Sequence, residues 1–556
     1  MKKTAALAII LVLLVSMFLS FEISHAATTS SVTLSSSGTI LTSSSSVSCV
    51  ISISGSTVTV ASGSSTIYSG TDATTAFTDA FSYCNNGGTV TVDSGTYVGT
   101  YQAVPNLISG EPTDAWFFMS DCKNENVDFQ SGAILTLPNS PSESSTVLCA
   151  WYCNNVVFTG MTVNGNAAHE TVGQVTDGVL VYDCNNTVVT HSTIYNCRNY
   201  GWSDGSNYND VASPSGITYC TLYDCYWNGI CFDNTRDKGD FAIGNTVYNC
   251  SDVGISTWTC NGVLIEGNYI YGINGTDGWA GQGTGSHYGM ALEEASVNCV
   301  VENNIIKDCP CLGINLGGDG TGNQNELCMN NSITLTPVSG YEIAISEDDN
   351  GHSTITENTI NGWGQDGAQY GGGLVIYNGT SDIVSFNKLT NTLNPSSSDA
   401  ICADATNSMF YSNTISQPTT GMSGIEIYTG SSNDAVEYNT IKSDVGITVD
   451  SGISGTRIGY NTLTSCVTQI SGSYTSLPTT NAILFINCPS IHGTVSPAPG
   501  YYSESTSAQV TITLTPETGY TPILNVDGSN VTLSSNSYTL SMTKDQSIYA
   551  LFATQS

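Results

Sequence analysis

A motif that returns along most of the chain constrains its fold more than any other feature. Between residues 156 and 464, twelve segments share one alignment, as in VLIEGNYIYG (263–272) and VVENNIIKDC (300–309). One column of that alignment holds Met161, Ser192, Cys220, Asn245, Asn268, Asn304, Asn331, Asn358, Asn387, Asn413, Asn439 and Asn461. Nine of these twelve residues are Asn, and neighbours in the column lie 22 to 36 residues apart. Repeats of about this length indicate a solenoid.

A second kind of strand lies between these segments. DGVLVYD (177–183), NGICFD (228–233) and YGMALEE (288–294) each alternate apolar and polar residues after a Gly. This period of two predicts strands with one buried face. Two or three short strands in each unit of about 27 residues favour coils stacked directly on one another. The prediction is an all-β chain: a right-handed parallel β-helix of about 12 coils.

The Asn column and several cysteines fit stacked coils. Asn tolerates the left-handed backbone of a sharp bend, and stacked side-chain amides can hydrogen-bond along the axis. Five cysteines follow the column by five residues: Cys197, Cys225, Cys250, Cys309 and Cys466. A coil spacing of about 4.8 Å brings neighbours such as Cys197 and Cys225 within disulfide range. Either they pair, or they stack as small buried hydrophobic residues.

The ends of the chain differ from the repeat. Residues 1–26 have a basic start, an apolar run and the sequence Ser24-His25-Ala26, which predicts a cleaved signal peptide; an uncleaved membrane anchor is the alternative. Residues 27–66 are a Ser/Thr-rich leader, either flexible or a first β segment. A helix predicted over 71–84 caps the β-helix, which extends over 67–489. Hairpin patterns in 490–556 predict a separate small all-β domain.

The net charge and the cysteine content indicate which partners and which compartment to expect. The chain has 11 Lys and Arg against 46 Asp and Glu, a formal charge of −35. This charge repels phosphate backbones and anionic lipid, so we expect no nucleic-acid partner. No comparable apolar run follows the N-terminal one, so we expect no membrane span in the mature chain. Nineteen cysteines fit an oxidising compartment. We therefore expect a secreted or cell-surface protein.

Two parts of the chain resemble known families. SGTDATTAFTDAFSYCNNGGTVTVDSGTYVG (69–99) looks like the N-terminal cap and first coil of the pectate-lyase-like superfamily, and the N-x-I segments resemble its repeats over about residues 65–488. LTPETGY (514–520) and MTKDQSIYALF (542–552) are similar to repeat domains of bacterial surface proteins. The superfamily includes lyases, hydrolases, epimerases, tailspikes and non-catalytic surface proteins, so the resemblance implies the fold more firmly than the activity.

Only part of a known active site is present. Asp177-Gly178 resembles the N-T-D-G motif of polygalacturonases, whose Asp is one of three carboxylates. The next coil reads Asn199-Tyr200-Gly201-Trp202 and lacks the family's Asp pair. Trp227-Asn228-Gly229 stands where the family has Gly-His-Gly. The polygalacturonase site therefore does not carry over beyond Asp177.

Aligning the second strands on their Gly places acidic and aromatic residues on one face over 177–294. Aromatic faces stack on sugar rings, and carboxylates bind hydroxyl groups, calcium or protons. The predicted substrate-binding residues are Tyr182, Tyr200, Trp202, Trp258, Tyr288 and Glu293. The predicted catalytic residues are the carboxylates Asp177, Asp204 and Asp233, with Arg236 or Lys238 as cation or base. Asp233 and Asp237 form a candidate calcium site, the one cofactor we expect.

Two functions remain open from the sequence. The leading hypothesis is a protein that binds extracellular polysaccharide on this face and, as an enzyme, cleaves it as a lyase or glycoside hydrolase. The alternative is a non-catalytic structural or adhesive protein of the cell surface. The missing catalytic motifs and the surface-protein-like C-terminal domain favour the second hypothesis, whereas the acidic and aromatic face favours the first.

Overall fold

Three long sheets wind around one axis in a computed structural model of the chain. The structure describes residues 47–100, 102–103, 114–139, 145–169, 176–205, 214–233, 239–273, 287–317, 325–335, 343–348, 351–364, 372–392, 398–417, 421–477, 481–490 and 492–554. Each coil contributes one strand to each sheet in turn, which we name sheets 1, 2 and 3 in the order in which the chain visits them. The predicted parallel β-helix is confirmed, with three strands in each coil.

Sheet 1 has 18 strands, and it is parallel from its fourth strand onward. Its first three strands form antiparallel hairpins at the N-terminal end, so the described part of the Ser/Thr-rich leader is a first β segment. The strands are Ser48–Ser54, Thr57–Ser62, Ser65–Gly70, Thr89–Val92, Lys123–Phe129, Asn154–Thr159, Asn185–Thr190, Gly216–Thr218, Phe241–Ile243, Leu264–Glu266, Val300–Glu302, Leu327–Met329, Thr354–Thr356, Ile383–Ser385, Met409–Tyr411, Ala435–Glu437, Arg457–Gly459 and Thr475–Ser476.

Sheet 2 has 14 parallel strands, two more than the twelve coils that the Asn column marks. They are Gly95–Val98, Ala133–Thr136, Thr162–Asn164, Thr193–Tyr195, Thr221–Tyr223, Thr246–Tyr248, Tyr269–Tyr271, Ile305–Lys307, Ser332–Thr334, Thr359–Asn361, Lys388–Thr390, Thr414–Ser416, Thr440–Lys442 and Thr462–Leu463. The middle residue of most of these strands is a buried aliphatic residue that faces the axis, as in Ile270, Ile306 and Ile333.

Sheet 3 has 15 strands, of which only the first pair is antiparallel. They are Gln102–Ala103, Asp114–Ser120, Ser145–Trp151, Thr176–Tyr182, Trp202–Gly205, Ile230–Asp233, Val253–Trp258, Tyr288–Glu293, Leu312–Leu316, Ile343–Asp348, Gly372–Thr380, Asp399–Thr406, Ser423–Ile427, Val445–Val449 and Thr468–Ser471. A single turn of 3₁₀ helix, Ala167–His169, lies in the turn that precedes one of them.

The α-helix Ala73–Cys84 lies at the N-terminal end, as predicted. Its N-cap is Asp72, whose carboxylate accepts a hydrogen bond from the Thr74 amide at 3.0 Å. On the apolar side of the helix, Phe77 packs against Tyr97 and Phe117. Its ring centroid lies 5.4 Å from that of Tyr97 and 4.9 Å from that of Phe117. The helix therefore closes the apolar interior at this end.

The asparagine column forms a continuous hydrogen-bonded ladder at the bend between sheets 1 and 2. Oδ1 of Asn304 accepts from the backbone N–H of Asn268 at 2.8 Å and from its Nδ2 at 3.0 Å. Nδ2 of Asn304 in turn donates to Oδ1 of Asn331, and also to the Ile265 carbonyl of the preceding coil. The same pattern runs unbroken from Asn245 to Asn461. Each amide therefore ties three successive coils together.

One detail of the predicted bend is wrong. The left-handed backbone belongs to the residue before each ladder position, as in Gly267, Asn303 and Asn330, with φ of 65°, 59° and 53°. The ladder Asn itself is outside that region, because its side chain must point inward along the axis to reach the next coil.

The cysteines stack as free thiols. All 19 lie in described residues, none forms a disulfide in this structure, and 17 are buried. Cys225 lies in the predicted column between Cys197 and Cys250 of the neighbouring coils, because Tyr195, Tyr223 and Tyr248 two residues before them pair in register. The structure shows the thiols as free, and a disulfide between neighbours in the column stays a prediction.

The C-terminal module packs along the side of the β-helix. It consists of a five-stranded sheet and a three-stranded sheet, with the strands Asn481–Asn487, Gly493–Ser496, Gly500–Ser505, Gln509–Pro516, Tyr520–Val526, Ser529–Asn530, Ser537–Ser541 and Gln546–Thr554. Ile483 and Phe485 lie in one apolar cluster with Met409 and Tyr411 of sheet 1. A buried ion pair of 2.9 Å joins Arg457 to Asp545. The first strand of the module begins before residue 490, where the sequence placed the boundary.

The ladder predicts a position-specific loss of stability. Asn331→Ala removes the acceptor of the Asn304 N–H and Nδ2, and it removes the side-chain donor to the Val301 carbonyl. Asn358 Oδ1 loses one of its donors and keeps the Asn331 N–H. Because each buried polar group that loses its hydrogen bond costs about 1–3 kcal/mol, we expect the free energy of unfolding to fall by at least that amount. Chemical denaturation measures it, with Asn154→Ala, an exposed Asn of sheet 1, as the control. Equal losses in the two variants would contradict the role of the ladder.

Enclosed carboxyl groups predict a pH dependence. Burial raises the pKa of Glu125 to about 9 and that of Asp382 to about 7. In the unfolded chain both ionise near pH 4, so between these values the folded state holds more protons and its stability falls as the pH rises. We expect the thermal midpoint to fall between pH 5 and 9, and Glu125→Gln to flatten the decline above pH 7. Asp121→Asn, an exposed carboxyl, should leave the slope unchanged.

Candidate functional site

The outer face of sheet 3 carries a column of side chains at the ends of its strands. Strand pairing aligns Tyr182, Gly205, Asp233, Trp258 and Glu293 in five successive coils. These residues share a face because side chains alternate across a strand and the coils are in register. The alignment on Gly predicted this column, and the structure confirms its register.

A groove of about 250 Å³ lies on this face between the starts and the ends of the strands. We call it the sheet 3 groove, and its lining residues are Tyr200, Trp227, Asn228, Cys231, Asp252, Trp258, Tyr288, Glu293, Glu294 and Asn315. Four of the six predicted substrate-binding residues are among them: Tyr200, Trp258, Tyr288 and Glu293. The structure therefore brings these four together in one concave site.

Two of the residues that line the groove are partly exposed tryptophans. Trp227 and Trp258 are 38% and 41% exposed, which is unusual for so large an apolar side chain. The Tyr200 and Trp227 rings lie 6.1 Å apart at 56°. The groove thus combines exposed aromatic surface with carboxylate and amide groups, a combination suited to a ligand with both apolar and hydroxyl surface.

Asp177 lies beside this face but is completely enclosed. Its carboxylate accepts hydrogen bonds from Asn199 Nδ2 at 2.8 Å, Ser203 Oγ at 3.2 Å and the Tyr200 amide at 3.3 Å. Burial raises the pKa of Asp177 to about 6, while these hydrogen bonds oppose the rise. The contacts show Asp177 holding the segment that presents Tyr200 to the groove.

Three other predicted residues also lie away from the groove surface. Asp204 is 2% exposed and pairs in register with Phe232, an inward-facing core residue. Trp202 is fully buried, with its ring 5.3 Å from that of Phe232. Tyr182 is 3% exposed, in a small outer cluster with Leu180 and Cys149. These placements correct the expectation that all three carboxylates and all six binding residues share one accessible surface.

Of the three predicted catalytic carboxylates, only Asp233 has an outward-facing, partly exposed side chain. Arg236, Asp237 and Lys238, the predicted cation or base and the second candidate calcium ligand, lie outside the described residues. Within the described ranges no group of three or more His, Cys, Asp or Glu side chains is arranged to hold a metal ion. A calcium site at Asp233 and Asp237 stays a prediction.

Six lining residues were not among the predicted binding residues: Trp227, Asn228, Cys231, Asp252, Glu294 and Asn315. Trp227 and Asp252 each lie at the start of a coil's sheet 3 segment, one position ahead of the aligned residues Asn228 and Val253. An alignment extended by one residue in that direction would have shown both. The alignment did not mark Asn315, because its strand, Leu312–Leu316, has no acidic or aromatic residue just before the aligned Gly or four residues after it.

Comparison with known proteins agrees with this architecture. The family model described as "Right handed beta helix region" matches residues 146–333 and 203–370. The chain is a right-handed parallel β-helix protein. This agrees with the resemblance to the pectate-lyase-like superfamily, and because the match ends at residue 370, the surface-protein resemblance of the C-terminal module stays a prediction. No curated protein matches the sequence.

Several solved structures are similar to the chain at low sequence identity. The A-module of mannuronan C-5 epimerase AlgE4 from Azotobacter vinelandii is 12% identical, over 73% of this chain and 96% of that chain, with a TM-score of 0.36. The tailspike protein of E. coli bacteriophage HK620, solved in complex with a pentasaccharide, is 13% identical over 86% and 88%, with a TM-score of 0.48. The Dettilon tailspike protein gp208 is 15% identical over 85% and 89%, with a TM-score of 0.41. Likenesses at this level carry no argument about function.

Among the described residues, which begin at 47, no helix is long and apolar enough to cross a bilayer.

The contacts of Asp177 predict a local effect on the groove. Asp177→Ala removes the acceptor of two buried side chains and of the Tyr200 amide, so we expect a loss of about 1–3 kcal/mol in unfolding free energy. We also expect faster hydrogen exchange at the Tyr200 amide, measured by NMR or mass spectrometry. Asp177→Asn, which keeps one acceptor oxygen, is the matched variant. We expect the Tyr200 amide to exchange more slowly in Asp177→Asn than in Asp177→Ala. Unchanged exchange in both variants would contradict the positioning role.

Proposed function

We propose that the sheet 3 groove binds a segment of an extracellular polysaccharide. The single observation that carries the proposal is the pair of half-exposed tryptophans, Trp227 and Trp258, in one groove with Tyr200 and Tyr288. Flat aromatic rings cover the C–H faces of sugar rings, and burying this surface against a ligand supplies binding energy.

The polar lining suits the rest of a sugar. The carboxylates of Asp252, Glu293 and Glu294 and the amides of Asn228 and Asn315 offer acceptors and donors for hydroxyl groups. The lining residues come from five successive coils, so the groove extends for about 20 Å along the axis at the usual strand spacing. This length favours a run of several sugar rings over a single monosaccharide.

The site is proposed as a binding site, and no cleavage step is assigned to the predicted acidic residues. Hydrolysis of a glycosidic bond needs two carboxyl groups that reach the sugar, whereas Asp177 and Asp204 are enclosed. A lyase would need Arg236 or Lys238 near the groove, and this requirement stays a prediction. The signal-like N-terminus supports action outside the cell, which is also part of the proposal.

The tryptophans provide the direct test. We expect Trp227→Ala and Trp258→Ala each to weaken binding of an oligosaccharide ligand by at least about tenfold, because each removes roughly 1.5–3 kcal/mol of apolar contact. Isothermal titration calorimetry against a panel of neutral and acidic polysaccharides, with and without calcium, identifies the ligand and measures the loss. Tyr474→Ala is the control, since Tyr474 is 41% exposed but lies in the last coil.

The same panel separates the remaining hypotheses. New reducing ends alone would indicate a hydrolase, and unsaturated uronate products would indicate a lyase. Binding that is equally strong in the wild type and both Trp variants would contradict the proposed groove. No binding to any polymer would contradict the proposal and favour a structural role at the cell surface.

A further inference from the structure

A cysteine and a histidine lie side by side at one end of the sheet 3 groove. His287 directly precedes the strand Tyr288–Glu293, and Cys311 directly precedes Leu312–Leu316. Tyr288 and Leu312 are paired in register, so His287 and Cys311 are neighbours in adjacent coils. Cys311 Sγ lies 3.8 Å from His287 Nδ1, within the range of a hydrogen bond to sulfur.

The pair continues a wall of the groove. Val253 pairs with Tyr288, which places Asp252 one coil before His287 in the same column. Asp252 and Tyr288 both line the groove. Asp252, His287 and Cys311 therefore follow one another in three successive coils along the groove edge.

The protonation state of His287 suits a base. Burial lowers the pKa of His287, and the nearby charge of Asp252 opposes this only in part. A neutral imidazole can accept the thiol proton at Nδ1 while it keeps its own proton on Nε2. Nε2 is buried and has no hydrogen-bond partner among the described residues, so the one described polar contact of the ring is with the thiol.

Cys311 differs from the other cysteines. Only Cys311 and Cys466 are partly exposed, and the other 17 are buried. The thiol of Cys466 contacts only the backbone carbonyls of Ile441 and Thr464. Cys311 thus combines solvent access with a neighbouring base, which are the two conditions for a reactive thiol.

We propose that Cys311 and His287 form a nucleophile–base pair that removes O-acyl groups from a glycan held in the sheet 3 groove. The proposal rests on the proposed glycan binding of that groove. A thiolate attacks a carbonyl carbon, and ester substituents are the carbonyl groups on a glycan with an alcohol as leaving group. The pair itself carries no carboxyl group, so cleavage of a glycosidic bond would fall to other groove residues, such as Asp252 and Glu293.

The reaction balances with water as the only co-reactant. His287 Nδ1 takes the thiol proton as Sγ forms a bond to the ester carbon, and the ester C–O bond then breaks. The departing sugar oxygen takes the proton from His287, which leaves an acyl thioester on Cys311. A water molecule, deprotonated by His287, attacks the thioester, the C–S bond breaks, and the thiolate recovers a proton as the carboxylic acid leaves.

The first test measures thiol reactivity without any glycan. The folded full-length chain is treated with iodoacetamide at pH 7, and the alkylation rates of Cys311 and Cys466 are read by peptide mass spectrometry. We expect Cys311 to react at least about tenfold faster than Cys466, and His287→Asn to remove that difference. Equal rates in the wild type, or an unchanged Cys311 rate in His287→Asn, would overturn the proposal.

The second test measures acyl transfer. We expect the wild type to release acetate from an O-acetylated oligosaccharide and to hydrolyse p-nitrophenyl acetate, and Cys311→Ser to lose both activities. Cys466→Ser is the control and should keep both, and circular dichroism checks that each variant is folded. No turnover of either ester by the wild type would overturn the proposal, even if the glycan binds.

The tryptophan variants separate this proposal from glycan binding. Trp227→Ala and Trp258→Ala should slow deacylation of the oligosaccharide because they weaken its binding, whereas Cys466→Ser, outside the groove, should leave it unchanged. If the wild type hydrolyses the small ester through Cys311 but binds no glycan, the proposed function of the groove fails while the reactive pair stands. If the Trp variants deacylate the oligosaccharide as fast as the wild type, the placement of the substrate in the groove is wrong.

Discussion

The hydrogen-bonded asparagine ladder fixes the position of each coil on the one before it. Each ladder oxygen accepts from the backbone and from the side chain of the preceding coil, so a slip of one residue would break several buried hydrogen bonds at once. The connecting turns vary in length, since ladder positions are 22 to 36 residues apart. The strands nevertheless stay in register from coil to coil. Since apolar residues occupy the interior at a period of two, a fixed register also keeps the core continuous.

The groove is a consequence of that register. Side chains that are far apart in sequence, such as Tyr200, Trp258 and Asn315, meet because each occupies a defined place in its own coil. The C-terminal module packs on sheet 1 through Ile483 and Phe485, on a different face from the groove. Asp177 shows how the fold serves the site without touching a ligand, since its enclosed carboxylate holds the backbone of Tyr200.

Much of the architecture could be predicted from the sequence, because twelve aligned segments occupy the same positions in their coils and show the same residue pattern. The ladder and the face carrying Trp258 and Glu293 followed from aligned patterns, and the helix followed from the segment 71–84 itself. Asp204 was misassigned although the alignment contained the correction: it lies three residues after Gly201, where the neighbouring coils have the buried Val181 and Phe232. The burial of Tyr182 could not be predicted, because it depends on how the outward-facing Leu180 and Cys149 pack around it.

A crystal structure of the full chain with a bound oligosaccharide would show whether a glycan binds across the coils of sheet 3. We expect sugar rings stacked on Trp227 and Trp258, with hydroxyl groups hydrogen-bonded to the acidic and amide residues between them. An oligosaccharide bound on sheet 1, on sheet 2 or on the C-terminal module, with the sheet 3 groove empty, would contradict it.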